Sequence, residues 1–434
     1  MRTSFGMCAL ALVANAASAQ QRPQPGTPGG SSSDTLRLTR RQAIAAALLT
    51  SPQLEIAREQ TLQVRAQRVE GNAIPDPVFA LAYDSLGGPL RLGQSNARPA
   101  SLAFTLPFPD KFRLRNRIGS ENVRTSEAQF KQLQQALAAQ AGRSYDSVLV
   151  TRQHRRDLLE SRDLAADFLK KTQARFDAGT VARLDVIKAQ VDVAQAENDL
   201  IANSRDVVNA ESALNRLLGR PLGLPVATLD SLEAPERLPD LDAVEQTALR
   251  TRPELAGLEA QMRAASATSS LVKEQAILPD FSFIANRDLM VDSGAWWTAG
   301  LSLPLPIFFW QHTRGDFAET KHRELELAAT YRDQRAAVGQ DVRVAFATAD
   351  AALRQVIFIR DQLLPSAREA FRVASVSYGL GRLSALEVLD ARRALVDAQR
   401  QYADALAAAN SARSDLERAA GVPLTSFAPG APRE

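Results

Sequence analysis

The residue types that do chemistry are sparse in this chain. The three histidines, His154, His312 and His322, stand at metal-ligand spacing neither from each other nor from the single cysteine. His154 lies in a charged "RQHRRD" stretch that reads as a solvated helix face. There is no glycine-rich phosphate cradle and no nucleophile elbow. Met262 and Met290 are too few for a copper relay of thioethers. The sequence thus predicts no catalytic, cofactor or metal site, and energy for any vectorial process must come from a partner.

What remains is acidic residues beside two glycine turns. Ser384-Ala-Leu-Glu387 has capping-box spacing, in which each end satisfies a backbone N–H of the other. Asp185 and Glu387, early in their helices, also favour the helix dipole. Asp390 reads from spacing alone as a solvated face residue.

These turns are copies of one another. "RFDAGTVARLDVIKAQ", from Arg175, and "SYGLGRLSALEVLDAR", from Ser377, align at a shift of about 202 residues that persists to the end of the chain. Gly179, Asp185, Gly219 and Pro221 fall over Gly381, Glu387, Gly421 and Pro423. Earlier segments match with small shifts, "IPDPVFA" with "LPDFSFI" and "FTLPFPDKF" with "LSLPLPIFF". Each half reads helix, strand, strand, very long helix, turn, helix. The first unit is expected over 36–222, with strands near 77–85 and 99–108 and a helical hairpin near 110–218. The second spans 223–424, with strands near 280–289 and 296–305 and a hairpin near 308–420, before a tail at 425–434.

From about Asp110 to Ala178 no proline interrupts, and apolar residues recur at three-four spacing. Such a helix is on the order of 100 Å long. In the returning helix Leu184, Ile187, Val191, Ala194, Ile201 and Val208 form a near-heptad seam, which predicts coiled-coil packing against its neighbour. The four strand candidates alternate apolar with small or polar residues at lengths that cross a tilted bilayer path. Trp296 and Trp297 at one end, and Phe308, Phe309 and Trp310 at the other, suit interface girdles. Four strands cannot close a barrel in lipid, so a membrane location asks for a trimer sharing twelve.

At the N-terminus Arg2, an apolar run from Phe5 to Val13 and Ala17-Ser18-Ala19 read as a signal peptide, 1–19, followed by a flexible tether at 20–35. Cys8 lies within the signal, so neither thiol nor disulfide is expected in the mature chain. A formal charge of +3, one unit less without Arg2, gives no reason to expect nucleic acid. No eighteen-residue apolar stretch exists for a transmembrane helix.

The duplicated strand pair with long hairpin, the "LPFP" and "LPLP" helix entries, and "YGLGRLSALEVLDA" resemble the TolC family of outer-membrane efflux proteins, and most resemble its heavy-metal and RND-type branch. The resemblance runs from about Leu36 to Leu424. It implies a mainly α homotrimer with a twelve-stranded β-barrel in the outer membrane, continued by a long α-helical barrel in the periplasm. It implies a periplasmic adaptor and an inner-membrane RND-type pump as partners, with metal ions or small toxic compounds as cargo. Glu387 and Asp390 match the family's acidic rings at the closed tip, where three copies of each carboxylate would converge and attract cations. Tyr378 and Asp185 match its gate latch; the usual latch arginine falls on Leu383, leaving Arg382 and Arg183 as candidates. The turns themselves, Gly179, Thr180, Val181, Gly381, Leu383 and Ser384, would form the adaptor-docking rim. The rival readings are the outer-membrane channel of an ABC-driven secretion system and a soluble periplasmic coiled-coil adaptor or scaffold.

Overall fold

The computed structural model describes residues 36–81, 100–233, 237–278, 280–290, 294–304 and 309–427. The expected signal peptide and tether, the strand residues 82–85, 99 and 305, Phe308 and tail residues 428–434 lie outside the described residues.

The first half runs β1 (Leu36–Leu38), α1 (Arg40–Thr50), α2 (Pro52–Gly71), β2 (Val78–Leu81), β3 (Ala100–Leu106), α3 (Pro109–Asp177) and α4 (Arg183–Leu217). The second runs β4 (Val226–Thr228), α5 (Leu241–Thr251), α6 (Pro253–Ile277), β5 (Phe281–Met290), β6 (Gly294–Ser302), α7 (Phe309–Phe358), α8 (Leu364–Gly379) and α9 (Ala385–Ala420). The expected single helix ahead of each strand pair is in fact two, divided at Ser51-Pro52 and Arg252-Pro253. Each proline is a good first helical residue but forces its predecessor out of the α region. A π-helical turn, Ile359–Leu363, joins α7 to α8. Pro365 has no N–H to bond to Asp361, and the wider turn accepts its ring while Leu364 N–H reaches back to Ile359 O.

The uninterrupted 69-residue α3 is on the order of 100 Å long. α2 and α4 lie end to end along it, and α6 and α9 lie end to end between it and the α7–α8 rod. The layer therefore reads α2-α3-α6-α7 in one half of its length and α4-α3-α9-α7/α8 in the other. At the splices, Thr50 Oγ1 lies 2.9 Å from Leu218 O and Thr251 Oγ1 lies 2.9 Å from Ala420 O, the same contact in each repeat. Gly219 and Gly421 follow with φ of 64° and 76°. A Cβ on Gly421 would stand 2.8 Å from Thr251 Oγ1.

Around the splices α1, α5 and the parallel β1–β4 pair make a belt. Leu38, Ala43, Ala47, Tyr145, Val148, Leu214 and Val226 are buried together on the first half's side. Burial pushes the Tyr145 phenol up to about 12, so it stays protonated and donates to Leu38 O at 2.8 Å. Val244, Ala248, Val338, Val342 and Leu416 form the corresponding core of the second half.

The other sheet is antiparallel in the order β2-β3-β5-β6, with β2 and β6 at its edges. Its register places Phe79, Leu102, Phe104, Phe283, Ala285, Trp297 and Leu301 on one face. Ser101, Thr105, Ser282, Asn286, Thr298 and Ser302 occupy most of the other, together with Val78 and Ile284. An apolar face opposite a small polar one suits a strand layer between lipid and water. Trp297 joins the apolar face, with Arg287 5.4 Å from its ring centre, whereas Trp296 falls on the polar face and so cannot share that girdle. Among the described residues no helix is long and apolar enough to cross a membrane.

The heptad seam of α4 is not inside the protomer. Val186, Ala189, Ala196, Ala210 and Leu214 face the layer, while Leu184, Ile187, Val191, Ile201 and Val208 are exposed. The spacing was that of a packed stripe, but its partner is not α3.

If the splices align the stacked helices, Gly421→Ala should destabilise the protein more than Gly179→Ala. Both force an L-residue to positive φ, at about 1–2 kcal/mol, but only Gly421 also meets a neighbour, since nothing lies within 4 Å of Gly179. Thermal unfolding followed by circular dichroism checks the order.

Candidate functional site

The two turns end their helices with the same hydrogen bonds. Gly179 N–H donates to Phe176 O at 2.8 Å and Thr180 N–H to Arg175 O at 2.9 Å; Gly381 and Arg382 N–H donate to Tyr378 O and Ser377 O, both at 2.9 Å. This is the Schellman closure, and the positive φ of 74° at each glycine makes it possible. Thr180 Oγ1 adds a bond to Arg175 O at 2.9 Å, and Val181 is half-buried beside it.

The turns are held together through Tyr378, which is buried. Its hydroxyl lies 3.1 Å from Thr172 Oγ1 and its ring centre is 5.2 Å from that of Phe168. The Arg175 guanidinium sits 4.5 Å above the ring and donates to Tyr378 O. Thus Arg175 of the first turn clamps the second by a cation–π contact and a charge-assisted hydrogen bond. Leu383 packs into the same apolar cluster with Ala385, Val388 and Leu389. Among the described residues no hydrogen bond or ring contact joins Tyr378 to Asp185, Arg382 or Arg183. Both arginines are exposed, and neither they nor the half-buried Asp185 has an ion-pair or side-chain hydrogen-bond partner among the described residues.

Glu387 is turned back on its own cap. Ser384 N–H and Oγ lie 2.7 and 2.9 Å from Glu387 Oε2, completing the capping box. The backbone bond first, then the hydroxyl, holds the Glu387 carboxyl below its ordinary 4.5. Asp390 lies one turn further on, exposed, 3.7 Å from Arg393. Both carboxylates remain on the solvent side of the second hairpin.

Deeper between the hairpins lies a site that sequence reading missed. Arg392 of α9 and Asp192 of α4 form an ion pair with side chains only 7% and 6% exposed, and Arg392 also donates to Ser161 Oγ of α3 at 2.7 Å. Among the described residues Arg392 Nε and Asp192 Oδ2 have no hydrogen-bond partner. In the repeat register Arg392 falls over Gln190, Asp192 over Ala394 and Arg175 over Ser377. The available signal was therefore polar residues that break the repeat. Among the described residues no cluster of His, Cys, Asp or Glu is arranged to hold a metal.

Two measurements follow from this geometry. Asp192→Leu or Arg392→Met alone should cost about 3–5 kcal/mol by stranding a buried charge, and the double variant markedly less than their sum. A double-mutant cycle in denaturant reads this. The depressed Glu387 pKa means that cap stabilisation is present above the ordinary glutamate value and is lost as pH falls through the folded one. Amide protection factors over 384–389 should fall on acidification, and Ser384→Ala should remove that dependence.

The comparisons with known proteins fit this architecture. The outer membrane efflux protein family model matches residues 43–220 and 244–422. The cobalt-zinc-cadmium resistance protein CzcC of Cupriavidus metallidurans is 26% identical over 66% of this chain and 68% of its own. The pyoverdine export outer membrane protein OpmQ of Pseudomonas putida is 28% identical over 54% of this chain; the match spans about half its length, 51%. Among solved structures CusC shares the fold with a TM-score of 0.75 at 20% identity, covering 92% of this chain and 97% of that one. With matches through both repeats, the chain belongs to the outer membrane efflux protein family.

Proposed function

We propose that three copies of this chain form one tube, with twelve strands closed in the outer membrane and the paired turns at its periplasmic tip. The observation that carries this is the unfinished state of both flanks of the protomer. The sheet ends in free edges at β2 and β6, which lipid does not tolerate. The helical layer ends in the exposed stripe of α4 on one flank and in Val344, Phe358, Val376 and Leu380 of the α7–α8 rod on the other. Ile201 at 71% and Leu380 at 65% exposure are costly in water. A head-to-tail interface that closes as a ring covers both stripes and pairs both strand edges at once.

In that ring the tip narrows where Glu387 and Asp390 from three chains approach the axis, making a cation-attracting constriction. The Arg175–Tyr378 clamp keeps each chain's two turns moving as one body, and Gly179, Thr180, Val181, Gly381, Leu383 and Ser384 present the rim to a periplasmic adaptor. An inner-membrane RND-type pump supplies the energy. The similarity to CzcC supports metal ions as cargo, selected upstream, since no metal-binding cluster occurs among the described residues.

Purified protein in planar bilayers is expected to give discrete conductance steps from particles of three protomer masses; trimers that never conduct contradict the channel. Replacing Glu387 by Gln and Asp390 by Asn together should raise conductance or weaken block by divalent cations. Ile201→Asp should release protomers.

A further inference from the structure

Just below the sheet, the two faces of the helical layer carry different chemistry. α3 begins at Pro109, soon after β3 ends at Leu106. Arg113 and Arg117 therefore stand roughly 6–12 Å along the helix from its start. They are one turn apart on one face, with Arg124 two turns further along it. Arg117 has no ion-pair partner among the described residues, and Arg113, 78% exposed, has only Asp110 at 3.5 Å. Arg124 shares the single carboxylate of Glu121 with Arg263. From α2, Arg65 pairs with Glu127 at 2.7 Å, while Arg68 donates to the neutral Asn116 Oδ1 at 2.9 Å and leaves its charge uncompensated. Between Arg65, Arg68, Asn72 and Asn116 opens a cleft of about 820 Å³, beside Val69 at 74% exposure. The other face presents mainly amides beside α2, Gln60, Gln63, Gln67, Asn122, Gln129 and Gln261, with Arg115 on that side of α3 and Glu319, Arg323 and Glu326 further across the layer.

The belt identifies the outer face. Gly142 is eighteen residues, five helical turns, beyond Arg124 and so on the same face of α3. There the α1 side chain of Arg40 comes 2.7 Å from where a Cβ would stand, so α1 covers the arginine face. Twelve helices spaced 8–10 Å make a ring roughly 35 Å between opposite axes. Three copies of the belt would fill such a lumen, whereas outside they are unobstructed. Arg68, Arg113 and Arg117 then face outward at headgroup depth, Arg124 and Arg65 lie roughly 10–15 Å further from the sheet, and the amides line the conduit.

We propose that Arg68, Arg113 and Arg117 form a collar that binds the phosphate headgroups of anionic phospholipids in the periplasm-facing leaflet. This rests on the trimeric-tube reading for which face is outer. The collar belongs to the first repeat: the matching entry to α7, "PIFFWQHTR", has Arg314 as its one arginine or lysine. It is thus not an echo of the duplication. Cations near an anionic leaflet are attracted to it, while Val69 adds apolar contact at the same height.

The test uses the full chain in phosphatidylcholine vesicles with trace spin-labelled phosphatidylglycerol or phosphatidylcholine. The protein should favour the labelled phosphatidylglycerol at least about threefold. The triple variant Arg68→Gln, Arg113→Gln, Arg117→Gln should lose that preference with trimer mass and conductance unchanged, and the three Arg→Lys replacements should keep most of it. Equal association of both lipids with the unaltered protein overturns the proposal, as does a triple variant that keeps its preference. Millimolar free glycerol phosphate that abolishes the preference also overturns it, since the site would then read a soluble phosphate. Absence of trimers or conductance counts against the tube instead, because lipid preference is scored separately on the same vesicles.

Discussion

A helix of 69 residues has an apolar stripe to bury along its whole length, and this governs the rest of the structure. The chain covers α3 by splicing shorter helices end to end. Each splice exposes a helix C-terminus whose carbonyls need partners inside the layer. Thr50 and Thr251 supply them, and the glycines that follow turn the chain away at positive φ without a Cβ to clash. The belt packs around these junctions, so the middle of the molecule is where its buried side chains are most concentrated.

Duplication supplies the frame, and departures from it supply the specific contacts. The four turning glycines obey the repeat. The polar links between the hairpins do not: Arg175 reaches Tyr378, and Arg392 reaches Asp192, where the other copy has Ser377, Gln190 and Ala394. A buried ion pair gains little net stability over apolar packing but strongly penalises any arrangement that separates it. Placed between α4 and α9, it fixes how the second hairpin sits on the first. The turn end of the layer is therefore set by cross-hairpin links both at the turns and deeper in the layer, among them His154 Nε2, 3.1 Å from Asp404 Oδ1.

Much of this was legible from residues. Proline-free three-four spacing marked α3, and the Gly-x-Pro endings marked the return helices, because backbone rules act locally. The capping box of Ser384 and Glu387 was legible for the same reason. The α4 seam was legible as a stripe but not as to its partner, since periodicity records that a face is covered and not by what. Arg175, Arg392 and Asp192 were invisible as a group because they come from distant segments and share no spacing. Trp296 and Trp297 are neighbours in one strand and so point to opposite faces, which leaves only Trp297 on the apolar one.

In the proposed ring the protomer's flanks complete one another around a three-fold axis. Cysteine pairing tests it directly, because Cys8 is the chain's one cysteine and lies in the expected signal segment. One cysteine is scanned through β2 and a second through β6, the two free edges of the sheet, and the protein is oxidised in the membrane. A ring of three predicts that matched positions give covalent dimers and trimers and nothing larger. Cross-linking confined within single chains, or ladders that continue past three, would contradict it.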